Sequence, residues 1–150
     1  MTQHEAIAQS KKTLEIDPHF PRAHYWLGLA YEQKSMYDHA VAAFQEAIKN
    51  SDFPIYVAAA GHAYAVAGRR AEALKVLAGL KELSSRRYVS AYHIATIHVG
   101  LGDPASAMQW LERAYQERSD GLVYLAVDPR WGGMRSDPRF AQLVRRVGLP

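Results

Sequence analysis

The sequence predicts an all-α fold built as a stack of antiparallel helical hairpins. The first observation is a repeat, because residues of similar size recur every 33 or 34 positions. The second is the three- and four-residue spacing of apolar residues between those positions, which is typical of amphipathic helices. The third is glycine or proline at the expected helix ends. Four series share the repeat: Ala6, Ala40, Ala73 and Ala107; Tyr31, Tyr64 and His98; Gly28, Gly61 and Ala95; Ser35, Gly68 and Gly102.

The helix boundaries follow from these patterns in chain order. Gly68 and Gly102 suit the turns within hairpins, because glycine adopts positive φ without steric cost. Asp103 followed by Pro104 is a helix start, since aspartate caps free N–H groups and proline presets φ. We expect no β-strand, and we expect helices over residues 3–16, 21–34, 37–50, 54–67, 70–84, 88–101 and 104–117.

The helix over 3–16 occupies the place of a second helix in a hairpin, and no first helix precedes it. Its apolar residues Ile7, Leu14 and Ile16 therefore lack one neighbour. Either Met1 is the true start and something else covers this face, or the chain is a piece of a longer protein, which we favour. An uncovered apolar face also makes a homodimer a candidate state.

The repeat stops after Arg118, and the tail has a pattern of its own. Asp-Pro-Arg-Trp at 128–131 and Asp-Pro-Arg-Phe at 137–140 lie nine residues apart. We divide the chain into helical repeats over 1–127 and a cap over 128–150, because a helical stack must cover its last apolar face. A helix over about 138–147 should bury Phe140, Leu143 and Val147, and Trp131 should pack between this tail and the third hairpin. Gly148 should end the helix, with Leu149 making an apolar contact.

Composition excludes several function classes. The chain has no cysteine, which removes disulfides, cysteine nucleophiles and cysteine-bound zinc. From Asp128 onward the chain has five Arg and two Asp, which accounts for the whole net charge of +3. No membrane-spanning or leader pattern is found, so we expect a cytoplasmic protein.

These residues resemble the tetratricopeptide repeat, which has about 34 residues and a Leu-Gly-x-x-Tyr, Ala-x-x-x-Phe pattern. The matching segments are Leu27-Gly28-Leu29-Ala30-Tyr31 with Ala40 and Phe44; Ala60-Gly61-His62-Ala63-Tyr64 with Ala73; and Ile94-Ala95 and His98 with Ala107. The resemblance implies a right-handed superhelical stack of about three hairpins plus an N-terminal half repeat. The tail is similar to the ends of bacterial tetratricopeptide proteins with signalling or regulatory roles.

The resemblance also implies a concave groove lined by the first helix of each hairpin. The predicted protein-binding residues are Arg22, Tyr25, Leu29 and Glu32; Ile55, Ala58 and His62; and Val89, Tyr92 and Thr96. A groove of this apolar and aromatic character suits a peptide segment or a helix of a partner. The tail or a second copy of the chain could instead fill it. We expect no chaperone-type carboxylate clamp, because Tyr25, Leu29 and Val89 stand where relatives place positive charges.

The predicted function is a non-catalytic protein-interaction scaffold. The sequence contains no catalytic constellation or cofactor motif, and His4-Glu5 lacks the second histidine of a metalloprotease. His62 and His93 could face one groove, but we expect hydrogen-bonded or solvated histidines and no metal. The alternative function is binding of nucleic acid or an anionic surface through the Arg-rich tail.

Overall fold

The computed structural model describes residues 2–148, and no β-strand occurs among them. The predicted all-α fold class is confirmed. Leu149, for which an apolar contact was predicted, lies outside the described residues. The helices are α1 (Gln3–Ile16), α2 (Pro21–Gln33), α3 (Tyr37–Lys49), α4 (Pro54–Val66), α5 (Arg70–Leu83), α6 (Ala91–Gly100), α7 (Pro104–Glu117) and α8 (Pro138–Val147), with 3₁₀ turns at Asp120–Tyr124 and Pro129–Met134.

The predicted boundaries agree with these helices to within one residue, except at the start of α6. This helix begins at Ala91, whereas the sequence predicted residue 88. Ser90 has extended backbone angles, and its side chain accepts a hydrogen bond from the Tyr92 backbone N–H at 3.3 Å. Serine is a favoured N-cap, so the helix starts after this residue.

The turns inside the three hairpins share one conformation. Ser35, Gly68 and Gly102 all have positive φ, at 59°, 80° and 75°. In each turn the following N–H donates to a carbonyl five residues back, as from Met36 to Tyr31 at 2.9 Å. This is the Schellman arrangement for ending a helix, and it explains why small residues recur at these positions.

Close contacts between helices explain the small residues elsewhere in the repeat. A Cβ atom at Gly28 would overlap the ring of Phe44, and one at Gly61 would lie 2.8 Å from both Val76 and Ile97. The alanines of the second helices are also fully buried: Ala40, Ala73 and Ala107. Helix α4 packs on α6 and also contacts α2, so the first helices α2, α4 and α6 lie side by side.

The tail packs over α6 and α7, and the predicted burial of Trp131, Phe140 and Leu143 is confirmed. Trp131, Phe140 and Leu143 are no more than 1% exposed, and Val147 is partly buried beside them. They share one apolar cluster with Leu111 of α7. The division of the chain between residues 127 and 128 stays a prediction.

Candidate protein-binding groove

A groove of about 970 Å³ runs along the first helices of the first two hairpins. Helices α2 and α4 supply about half of its lining residues, and Val99 and Gly100 of α6 add to them. The segment Tyr124–Arg130, which follows the last repeat, supplies a further wall. The groove is therefore built jointly by repeats and tail.

Large apolar side chains line this groove and stay open to water. Trp26 is 51% exposed, Phe53 56% and Tyr124 61%. Beneath them the rings of Tyr25 and Tyr56 lie 5.4 Å apart at a tilted angle. A cluster of exposed aromatic residues is typical of a surface that binds a partner.

On the third hairpin, the tail covers Tyr92 near the start of α6. The Tyr92 hydroxyl donates to Asp128 Oδ2 at 2.7 Å and accepts from Trp131 Nε1 at 2.9 Å. Arg130 donates to both oxygens of Asp128, with Nη2 at 2.7 Å from Oδ2. A Cβ atom at Gly121 would overlap the Tyr92 ring, so the chain passes directly across it.

Burial and charge act together on these groups. Burial alone would raise the pKa of Asp128, but the hydrogen bonds and charge of Arg130 hold it below its usual value. Burial and the Asp128 charge raise the pKa of Tyr92. Burial, with Arg130 beside it, lowers the pKa of His93 to about 4. Asp128 and Arg130 thus form a buried ion pair in which each charge depends on the other.

Three family models match the chain, all describing tetratricopeptide repeats. They cover residues 3–35, 21–52 and 88–120, which together is more than half of the sequence. The chain is a tetratricopeptide repeat protein. Repeats of this family generally mediate protein–protein interactions and are typically non-catalytic. No curated protein matches the chain.

Six of the ten predicted groove residues line the groove of this tetratricopeptide protein: Arg22, Tyr25, Leu29, Glu32, Ile55 and His62. They do so because side chains three and four apart share one face of a helix. Arg22 is exposed, whereas His62 is 4% exposed and contacts Glu32. Their part in binding stays a prediction.

The other four predicted residues are buried, so the prediction that they are accessible to a partner is wrong: Ala58, Val89, Tyr92 and Thr96. Ala58 and Val89 pack in the core between α4, α5 and α6. Tyr92 is covered by the tail, and Thr96 Oγ1 donates to the His93 carbonyl at 2.7 Å. At Tyr92 the tail therefore takes the place predicted for a partner, while Val99 and Gly100 of the same hairpin line the open groove.

The sequence prediction missed several groove residues of this tetratricopeptide protein. Trp26 lies within α2, directly after the predicted Tyr25, Phe53 is the residue before α4, and Tyr124 and Val127 belong to the tail. The aromatic residue just before the predicted helix start at 54 could have indicated Phe53, and adjacency to the predicted Tyr25 could have indicated Trp26. No repeat pattern could have placed the other two, because the tail does not repeat.

Residues 2–148 offer no cluster of metal-ligating side chains and no membrane-spanning helix. No group of three or more His, Asp or Glu side chains in this part of the chain is placed to hold a metal ion. None of the helices found there is long and apolar enough to cross a membrane.

Proposed function

We propose that this chain is a non-catalytic interaction module that binds an extended segment of a partner protein in the groove between α2, α4 and Tyr124–Arg130. The observation that carries the proposal is the set of half-exposed aromatic side chains in that groove. Folding leaves them in water, so a bound segment would remove their apolar surface from solvent.

The dimensions of the groove favour an extended segment over a long helix. The tail already covers Tyr92 of the third hairpin, which shortens the open face. A volume of about 970 Å³ is near the upper end of small-molecule sites, which span roughly 300–1,000 Å³. A few residues of extended chain would fill it, with side chains inserted between the rings.

The alternative of nucleic-acid binding has less support, because contacts within the chain engage four of the five tail arginines. Arg130, Arg139 and Arg146 pair with Asp128, Asp137 and Glu112, each within 3.0 Å. Arg135 donates to the carbonyls of Ala126 and Asp128. Arginines held this way must break existing contacts to reach phosphates.

Two narrower expectations accompany the proposal. Ile16 is 88% exposed on α1, which supports a homodimer through that helix; sedimentation showing only monomer at high concentration would contradict it.

A role in a larger bacterial regulatory protein is supported by the likeness of the tail alone. Sequencing the whole gene in its source would test that role.

The groove is tested by selecting a phage-displayed library of random 12-residue peptides against the chain. We expect enriched peptides whose affinity falls about tenfold or more in Trp26→Ala and in Phe53→Ala, because central aromatic residues dominate interface energies. Leu74→Ala is the matched control, since Leu74 is an exposed apolar residue on α5, outside the groove. No enrichment, or equal loss in all three variants, would contradict the proposal.

A further inference from the structure

The carboxylate of Glu32 lies in the groove with one oxygen unpaired. Its side chain is 9% exposed, and Oε1 makes an ion-pair contact with His62 Nδ1 that lacks hydrogen-bond geometry. Oε2 has no hydrogen-bond partner among residues 2–148. Lys34, the nearest lysine in sequence, is turned toward His4 instead, with Nζ 3.4 Å from the imidazole. Burying an unpaired acceptor reduces stability, so this oxygen is suited to a donor that arrives with a ligand.

Close packing holds His62 beside this carboxylate. The imidazole is buried at 4% exposure. A Cβ atom at Gly100 would lie 2.9 Å from His62 Cδ2, so the backbone of α6 approaches the ring directly. With the ring held, Glu32 Oε1 stays in contact with His62, and Oε2, itself buried, is the oxygen without a partner.

Three helix ends add negative potential at the same place. Helices α2, α4 and α6 end at Gln33, Val66 and Gly100, and all three residues line the groove. The carboxyl end of a helix carries partial negative charge. Neither α2 nor α4 has a basic residue in its last turn to offset that charge. With Glu32 among them, this end of the groove attracts a cation.

We infer that Glu32 and His62 form a subsite for the ammonium group of a lysine in the bound segment. The inference rests on the proposed function, because the lysine belongs to the segment in the groove. One free oxygen suits a compact ammonium, whereas the planar fork of an arginine needs two acceptors for its best geometry. The apolar side chains of Leu29, Val66 and Val99 line the approach and match the aliphatic stem of lysine.

The test uses n-butylammonium chloride as a probe for the lysine side chain, followed by NMR of the whole chain. We expect the Gln33 and Gly100 amide signals to shift and to saturate on the order of 10 mM. The neutral isostere 1-butanol should leave them in place, and methylguanidinium should shift them less. Glu32→Gln should abolish the response, whereas Glu15→Gln, an exposed carboxylate on α1, should retain it.

Thermal melting of Glu32→Gln provides the second readout. We expect an unchanged or higher Tm, because the substitution removes a buried charge that lacks a full set of partners. Suppose that the variant melts several degrees lower and that n-butylammonium shifts no signal in the parent chain. Glu32 would then be a structural partner of His62, and the inference would be overturned. Equal shifts with 1-butanol would also overturn it. If the variant does not fold, the titration of the parent chain decides.

Different results would contradict the lysine subsite and the binding of a peptide segment in the groove. Peptides that depend on Trp26 and Phe53, in a chain that shows no response to n-butylammonium, would overturn the lysine subsite alone. A saturable response to n-butylammonium, with no peptide enriched, would support the subsite and contradict peptide binding in the groove.

Discussion

The tail contains the same four-residue pattern twice, and the two copies differ in their surroundings. In the first segment (residues 128–131) and the second (137–140), the aspartate accepts from the backbone N–H two residues on, at 3.0 and 2.9 Å. In both, arginine pairs back to that aspartate and the aromatic residue is buried. However, the first aspartate and arginine side chains are 7% and 13% exposed, and the second are 24% and 62% exposed.

This difference shows that local sequence determines the turn, while the neighbouring elements determine what the turn stabilises. Asp128 also accepts from Tyr92 of α6, and its carbonyl accepts from Arg135. The polar side chains of the second segment make their hydrogen bonds within that segment. Exposed ion pairs contribute little to stability, whereas losing one partner of a buried pair leaves an uncompensated charge.

The largest expected effect is the contrast between Asp128→Ala and Asp137→Ala. The first change leaves the Arg130 charge buried and should lower the free energy of unfolding by roughly 3–5 kcal/mol. The second removes mainly a helix cap and should cost about 1 kcal/mol. Urea denaturation of both variants measures the difference. Equal losses of unfolding free energy would show that the surroundings of the first segment add nothing to stability.

A pair of glycine substitutions tests the same contrast through packing. Gly121→Ala should force the chain away from the Tyr92 ring and cost roughly 1–3 kcal/mol of stability. Gly133 lies between the two segments, and a Cβ atom there would meet no atom within 4 Å. Gly133→Ala should therefore change stability by about 0.5 kcal/mol at most. Thermal melting of the two variants would contradict the account if Gly121→Ala were the milder one.

A smaller expected effect is the dependence of stability on pH. Because burial and Arg130 lower the pKa of His93 to about 4, the unfolded chain binds more protons than the folded one below the ordinary histidine pKa of about 6.5. Stability should therefore fall as pH drops from about 6.5 to about 4. His93→Gln should flatten that slope, and the exposed His19→Gln should leave it unchanged. Urea midpoints between pH 4 and 7.5 provide the measurement; identical slopes in the parent and His93→Gln would contradict it.

Much of the repeat fold was predictable because each position of the repeat meets the same packing or turn requirement in every hairpin. The positive φ of Ser35, Gly68 and Gly102 illustrates this, since one turn recurs three times. The burial of Trp131 was predictable too, because a stack needs a cap. The cover over Tyr92 was not, since repeat register indicates which way a helix faces and not which segment crosses it. The Glu32–His62 contact also depends on how two neighbouring hairpins pack, which the sequence alone does not specify.

The central claim is that the first segment joins the tail to the third hairpin through Tyr92. A double-mutant cycle between Tyr92→Phe and Asp128→Ala, measured by urea denaturation, tests it most directly. We expect a coupling of roughly 1.5–3 kcal/mol, as for a hydrogen bond to a charged group. Tyr92→Phe with Asp137→Ala should be additive to within about 0.5 kcal/mol. Additive losses for Tyr92 and Asp128 would contradict the claim.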